Sequence, residues 1–194
     1  MKHTTLANLV ASRICHDLIN PIGATHNGIE LLGLDPNVPK GMEFDLITAS
    51  LNDAKARVEF CRMVFGAAAQ DITMDTTTCR SLMAKIFDPK RYVMTWALPD
   101  TITRILAQRL GLSMLCIEQQ MPRGAHVTFS PDHITAQTSH PRDILPQWDH
   151  VTNAQASHTL QGRDVQFAVL GDRIGYDPRV VMDLSPGHIA LRLD

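Results

Sequence analysis

The sequence predicts an α+β chain in two parts: an N-terminal antiparallel helical hairpin forming a dimeric four-helix bundle over residues 1–72, then an α/β-sandwich domain over 73–194. Three observations predict it. Pro21 is the lone proline of the first 35 residues and none lies between Lys40 and Asp88, whereas prolines recur from Pro89 onward, so long uninterrupted elements give way to short ones. In the second long segment Phe44, Ile47, Leu51, Ala54, Val58, Cys61 and Phe65 are spaced 3, 4, 3, 4, 3 and 4 apart, an apolar seam of helical-bundle period. Past Asp75 the apolar runs shorten and alternate.

Residues 4–34 and 42–69 read as two long helices joined by the turn-rich Leu34-Asp35-Pro36-Asn37-Val38-Pro39-Lys40-Gly41. In the first, Val10, Ile14, Leu18, Ile22, Ile29 and Leu32 fall on one face at about 100° per residue. Two helices alone leave such a seam half open, so a second copy is expected to complete the bundle as a homodimer. Next come a helix near 79–87, a strand at 91–97, a longer helix over 101–120 and a turn at Pro122-Arg123-Gly124. Hairpin strands at 125–130 and 134–138 precede a polar, irregular stretch over 139–161. A helix over 162–174 and a closing hairpin around Ser185-Pro186-Gly187 complete an antiparallel sheet with helices.

Hydrophobic residues at 44% and charged residues at 20% are the composition of an ordinary globular core. A formal net charge of -2 argues against nucleic acid or a membrane surface as partner. No run approaches the roughly 18 apolar residues of a membrane span, and the N-terminus lacks the apolar core of a signal peptide. The cysteines at 15, 61, 79 and 116 have no short pair spacing, so they read as reduced and mostly buried, with a cytoplasmic location as the default.

Of the nine histidines, His16 is the one placed for chemistry. It lies about 160° round the helix from Leu18, on the polar face with Arg13, Asn20 and Asn27. A neutral imidazole is a competent nucleophile toward a phosphoryl group through Nε2, and Asp17 next to it can orient the other nitrogen. Pro21, five residues on, costs an interior helix about 3 kcal/mol. Either it opens a kink beside the histidine, or it is the first residue of a new helix capped by Asn20.

His16-Asp17-Leu18-x-x-Pro21-Ile22 resembles the H-box of two-component histidine kinases. The longer run Ser12-Arg13-Ile14-Cys15-His16-Asp17-Leu18, with Pro21-x-Gly23-Ala24, Asn27-Gly28-x-Glu30-Leu31-Leu32 and Arg62-Met63-Val64-Phe65-Gly66-Ala67-Ala68, is similar to the ChpT-type histidine phosphotransferases of alphaproteobacteria. Pro122-Arg123-Gly124 fits the same family. The resemblance implies a dimeric phosphorelay intermediate that carries a phosphoryl group between receiver-domain aspartates through phospho-His16. Its second domain would resemble a degenerate histidine-kinase ATP-binding domain. The partners implied are the receiver domains of a hybrid histidine kinase and of response regulators, with Mg²⁺ held by the receiver and no cofactor or ATP bound by this chain.

Two features of the residues agree with the loss of nucleotide. The long helix Ile105-Leu-Ala-Gln-Arg-Leu-Gly-Leu-Ser-Met-Leu carries no Asn for Mg²⁺, and no Asp-x-Gly-x-Gly occurs; Gly171-Asp172-Arg173-Ile174-Gly175 offers only a loose glycine pair. An antiparallel hairpin brings Arg57, Glu59 and Arg62 near the level of His16, and Arg62 is preferred because a guanidinium suits phosphate oxygens. The resemblance implies that Arg13, Ala24, Asn27 and Leu31 are receiver contacts, with Asn20 beside the reacting group and a secondary candidate for phosphatase action. Gly23, Ala24 and Gly28 admit close approach either of a partner or of the second hairpin helix. His26 reads as a surface residue or docking contact. The scattered His126, His133, His140, His150 and His158 lack metal-ligand spacing. Two other functions fit the same residues: a non-catalytic dimeric scaffold for receiver domains, and a fragment of an ATP-dependent histidine kinase.

Overall fold

A computed structural model describes residues 3–38, 41–67, 71–157 and 159–193; the side chains of residues 3–10, 12–17 and 182 lie outside that description, as does His158. The chain divides into two compact units, Met1–Ala67 and Ala68–Asp194. The expected boundary at 72/73 falls inside the second unit. The Ile72 carbonyl accepts the Arg104 amide at 2.8 Å, which ties the segment before the first strand to that unit.

The first unit is α1 (His3–Leu34) and α2 (Met42–Phe65). α1 runs unbroken through Pro21, so no new helix starts there under an Asn20 cap. The proline removes the donor that the Asp17 carbonyl would use. Just below it, the Pro21 carbonyl accepts the Thr25 hydroxyl at 2.8 Å. An Asx turn, with Asp35 Oδ1 accepting the Asn37 amide at 2.8 Å, reverses the chain. α2 starts with Glu43 and Asp45 and ends with Arg62 in its last turn, which suits the helix dipole at both ends. It stops at Phe65, short of the expected 69, where the Gly66 amide closes onto the Arg62 carbonyl at 3.2 Å.

α2 carries two apolar faces. Ala56, Phe60, Met63 and Val64 are buried. The seam read from the 3.5-residue period is a different face: Leu51, Ala54, Val58, Cys61 and Phe65 are half-buried and Ile47 is 51% exposed. Its counterparts on α1, Leu18 and Leu32, are exposed as well.

The second unit is a mixed sheet with helices on one side. Its elements are β1 (Thr73–Asp75), α3 (Thr76–Ile86), β2 (Tyr92–Trp96), β3 (Thr101–Thr103), α4 (Arg104–Gln120), β4 (Ala125–Phe129), β5 (His133–Gln137), α5 (Asp149–Thr152), α6 (Val165–Arg173), β6 (Val181–Ser185) and β7 (His188–Arg192). The main sheet has the order β2-β4-β5-β7-β6. It departs from the expected all-antiparallel sheet because β2 pairs β4 in parallel, Tyr92 opposite Ala125. The connection between them contains α4, the crossover that parallel neighbours require. Residues 101–103, expected as the start of the long helix, instead form β3 against β1, and Thr103 Oγ1 caps α4 by accepting the Leu106 amide at 3.1 Å.

α4 is buried almost all round, with Ala107, Leu110, Leu112, Met114, Cys116 and Ile117 in the core. Facing it are the inward residues Tyr92, Val127, Phe129, Ile134, Ala136, Ile189 and Leu191, while His126 and Gln137 point outward and are exposed. The thiols of Cys79 and Cys116 are buried, and burial pushes Cys79 up to about 12 and Cys116 well above the ordinary range, as inert packed thiols require.

Candidate functional site

His16 lies in the upper half of α1, five residues before Pro21. Its side chain and those of Arg13 and Asp17 fall outside the described residues, so the site is built from helix positions and from the side chains around them. The hairpin register comes from Gly33, where an added Cβ would meet Phe44 Cζ at 3.3 Å. Counting away from the turn along antiparallel helices brings Cys61 and Arg62 level with His16, and Arg57 level with Asn20. Arg62 is exposed at that level. Arg57 is committed elsewhere, its Nε donating to Asp53 Oδ2 at 2.8 Å, and Glu59 is half-buried.

Below His16 the positions Asn20, Ala24, Asn27 and Leu31 recur on one side of α1 and all four are exposed. Leu31 is 68% exposed and Leu34, which continues the same side, 78%. Leu34 was not among the expected contacts, which ended at Leu31; the three-residue step from Leu31 was the available signal. A Cβ added to Gly23 or Gly28 meets nothing within 4 Å, so these small residues do not serve close packing of the two hairpin helices. His26 is not a surface residue: its side chain is 14% exposed, Nε2 lies 3.3 Å from Glu30 Oε1, and Nδ1 is buried with no partner among the described residues.

In the second unit the two glycines of the loose pair have different uses, packing for Gly171 and backbone conformation for Gly175. Gly171 is inside α6, where a Cβ would meet the His150 carbonyl at 2.3 Å and the Tyr176 ring at 2.8 Å. Gly175 and Tyr176 end the helix with φ of 71° and 54°. The stretch expected as irregular is pinned by one buried side chain: Gln120 Oε1 accepts the Leu145 amide at 2.9 Å and Trp148 Nε1 at 3.1 Å, and its Nε2 donates to the Asp143 carbonyl at 3.1 Å. Trp148 stacks edge-on against Phe167 at 5.2 Å. Side-chain amides thus occupy the end of α4, and Gly171 is closed off by the His150 carbonyl and the Tyr176 ring. Of the remaining histidines, His133 and His188 pair with Asp132 and Asp183 at 2.7 and 2.8 Å on the surface. Among the described residues no group of three or more His, Cys, Asp or Glu could hold a metal ion, and no helix is long and apolar enough to cross a membrane.

The fold of this chain, a helical hairpin followed by an α+β unit, is shared with a bacterial phosphotransferase of known structure. A 1.7 Å structure of one aligns with the whole chain and 98% of its own, with a TM-score of 0.61 at 22% identity, and so shares the fold. The chain is similar to the protein phosphotransferase ChpT of Brucella abortus (strain 2308), 36% identical in an alignment of 124 residues that covers 61% of this chain. It spans 57% of that relative's length. The likeness to ChpT expected from the H-box run is therefore shown. No family model matches the chain.

Proposed function

We propose that this protein is a histidine phosphotransferase that relays a phosphoryl group between receiver-domain aspartates through His16, acting as a homodimer. The observation that carries the reading is the H-box histidine within an unbroken helix of a two-helix unit, in a chain similar to ChpT. The lone pair of Nε2 attacks the phosphorus of an aspartyl phosphate; the N–P bond forms as the P–O bond breaks, and the aspartate leaves as a carboxylate. Onward transfer is the reverse step at a second receiver. The receiver supplies Mg²⁺ and the acidic pocket, so this chain contributes position and one cation. Arg62, level with His16, suits the phosphoryl oxygens, while Asn20, Ala24, Asn27, Leu31 and Leu34 give the receiver an uncharged strip to rest on.

The half-open seam supports the dimer, since a second copy would cover Ile47, Leu51 and Ala54 with Leu18 and Leu32. The packed Gly171 and the Gln120-pinned segment support a second unit that takes no ATP. The test is transfer from a phosphorylated receiver domain. Wild type should gain label in seconds to minutes and His16→Ala should gain none; equal labelling of both ends the proposal. No labelling of either leaves the scaffold function, and labelling by ATP alone points to a kinase.

A further inference from the structure

We infer that Thr25 is a positioning residue for His16, an inference that rests on the phosphotransfer function proposed above. The backbone ladder of α1 loses one rung at Pro21, because the Asp17 carbonyl receives no amide from residue 21. The helix is therefore most compliant between the turn that holds His16 and the strip from Asn20 to Leu34. The Pro21 carbonyl, first below the gap, takes the Thr25 hydroxyl at 2.8 Å. Back-bonding of a threonine hydroxyl to the carbonyl four residues earlier bends a helix in its own right. Residues 21 and 25 lie about 40° apart round the axis, so the two perturbations act on one side of the helix and combine. Packing does not explain the hydroxyl: Thr25 lines a shallow, mostly apolar concavity with Leu46, Ile47, Ser50, Leu51 and Ala54, where valine has the same shape.

The bend matters because the receiver uses both halves at once. It rests on the lower strip while its aspartate reaches His16, five residues above the proline and about 7.5 Å along the axis. A 10° change in bend moves that histidine by about 1 Å, a displacement that lowers a positioned reaction by as much as a hundredfold.

Thr25→Val removes the hydroxyl and keeps the shape; Thr25→Ser keeps the hydroxyl. In single-turnover transfer from a phosphorylated receiver to the full chain, Thr25→Val should lower the saturating rate roughly tenfold or more. Receiver affinity should change less than twofold, and Thr25→Ser should stay within about twofold of wild type. Residual dipolar couplings across α1 should show a changed bend in the valine variant alone. An unchanged bend in Thr25→Val, or a serine variant as slow as the valine variant, overturns the inference. The bend is read even when wild type accepts no phosphoryl group, so failure of the parent function is told apart from failure of this one.

Discussion

The ring of Phe44 lies against Gly33, where a Cβ would come within 3.3 Å of Cζ, and this one contact sets the register of the whole hairpin. Every pair of facing levels follows from it, including that of Arg62 and His16.

That register separates two arginines of α2 that stand at different levels. Arg62→Ala should slow phosphoryl transfer about tenfold, the loss of a charge-assisted hydrogen bond of about 1.5 kcal/mol. Arg57→Ala, a turn lower and engaged with Asp53, should slow it less than threefold. Quench-flow transfer assays rank the two; a larger effect at Arg57 would place the phosphoryl group at the level of Asn20 instead.

Ile47 is the most exposed member of the 3.5-period seam, at 51%. Ile47→Asp would bury charge in a dimer interface and meets only solvent in a monomer. Sedimentation should find the variant monomeric at micromolar concentration, with helical circular dichroism unchanged. A wild type that is already monomeric refutes the bundle.

Gln120 satisfies two donors, the buried Trp148 indole and the half-buried Leu145 amide. Gln120→Leu leaves both unpaired and should destabilise the second unit by about 2–4 kcal/mol. Urea unfolding measures the loss, and the emission of Trp148 should shift to the red as the 143–148 segment loosens.

The Gln119 amide, donating to Asp164 Oδ1 at 2.6 Å, is the main reason the Asp164 carboxyl sits below the usual carboxylate range; the Gln161 amide adds to this and burial opposes it. A carboxyl lowered on folding stabilises the native state above its unfolded pKa of about 3.9, and the contribution disappears as pH falls through the folded value. The stability difference between wild type and Asp164→Asn should therefore be flat from pH 7 to 5 and shrink below about pH 4. A difference that persists to pH 2 would assign the effect to packing.

Long periodic elements were legible in the sequence. Both hairpin helices, α4 and the closing hairpin have enough residues for the apolar period to show. β1 and β3 have three residues each, too few for a period, and their pairing is a long-range event that no local pattern records. The parallel pairing of β2 with β4 was likewise hidden. Its trace is Gly124, whose φ of 110° and 2.2 Å clearance to the Arg91 carbonyl leave no room for a side chain, although the motif read only as a turn. At the candidate site, Asn20, Ala24, Asn27 and Leu31 are exposed as expected, but so are Leu18 and Leu32 of the apolar stripe, because two helices alone leave that stripe uncovered. The expectation failed for His26: the polar residue sits half inside the fold against Glu30, a tertiary outcome that a helical plot cannot report.

The strand β6, at one margin of the five-stranded sheet, has its register broken between Val181 and Asp183 and lies between Pro178 and Pro186. A margin interrupted in this way makes a poor template for another molecule's backbone. Copies of the protein crowded together are turned away from zipping sheet to sheet along β6.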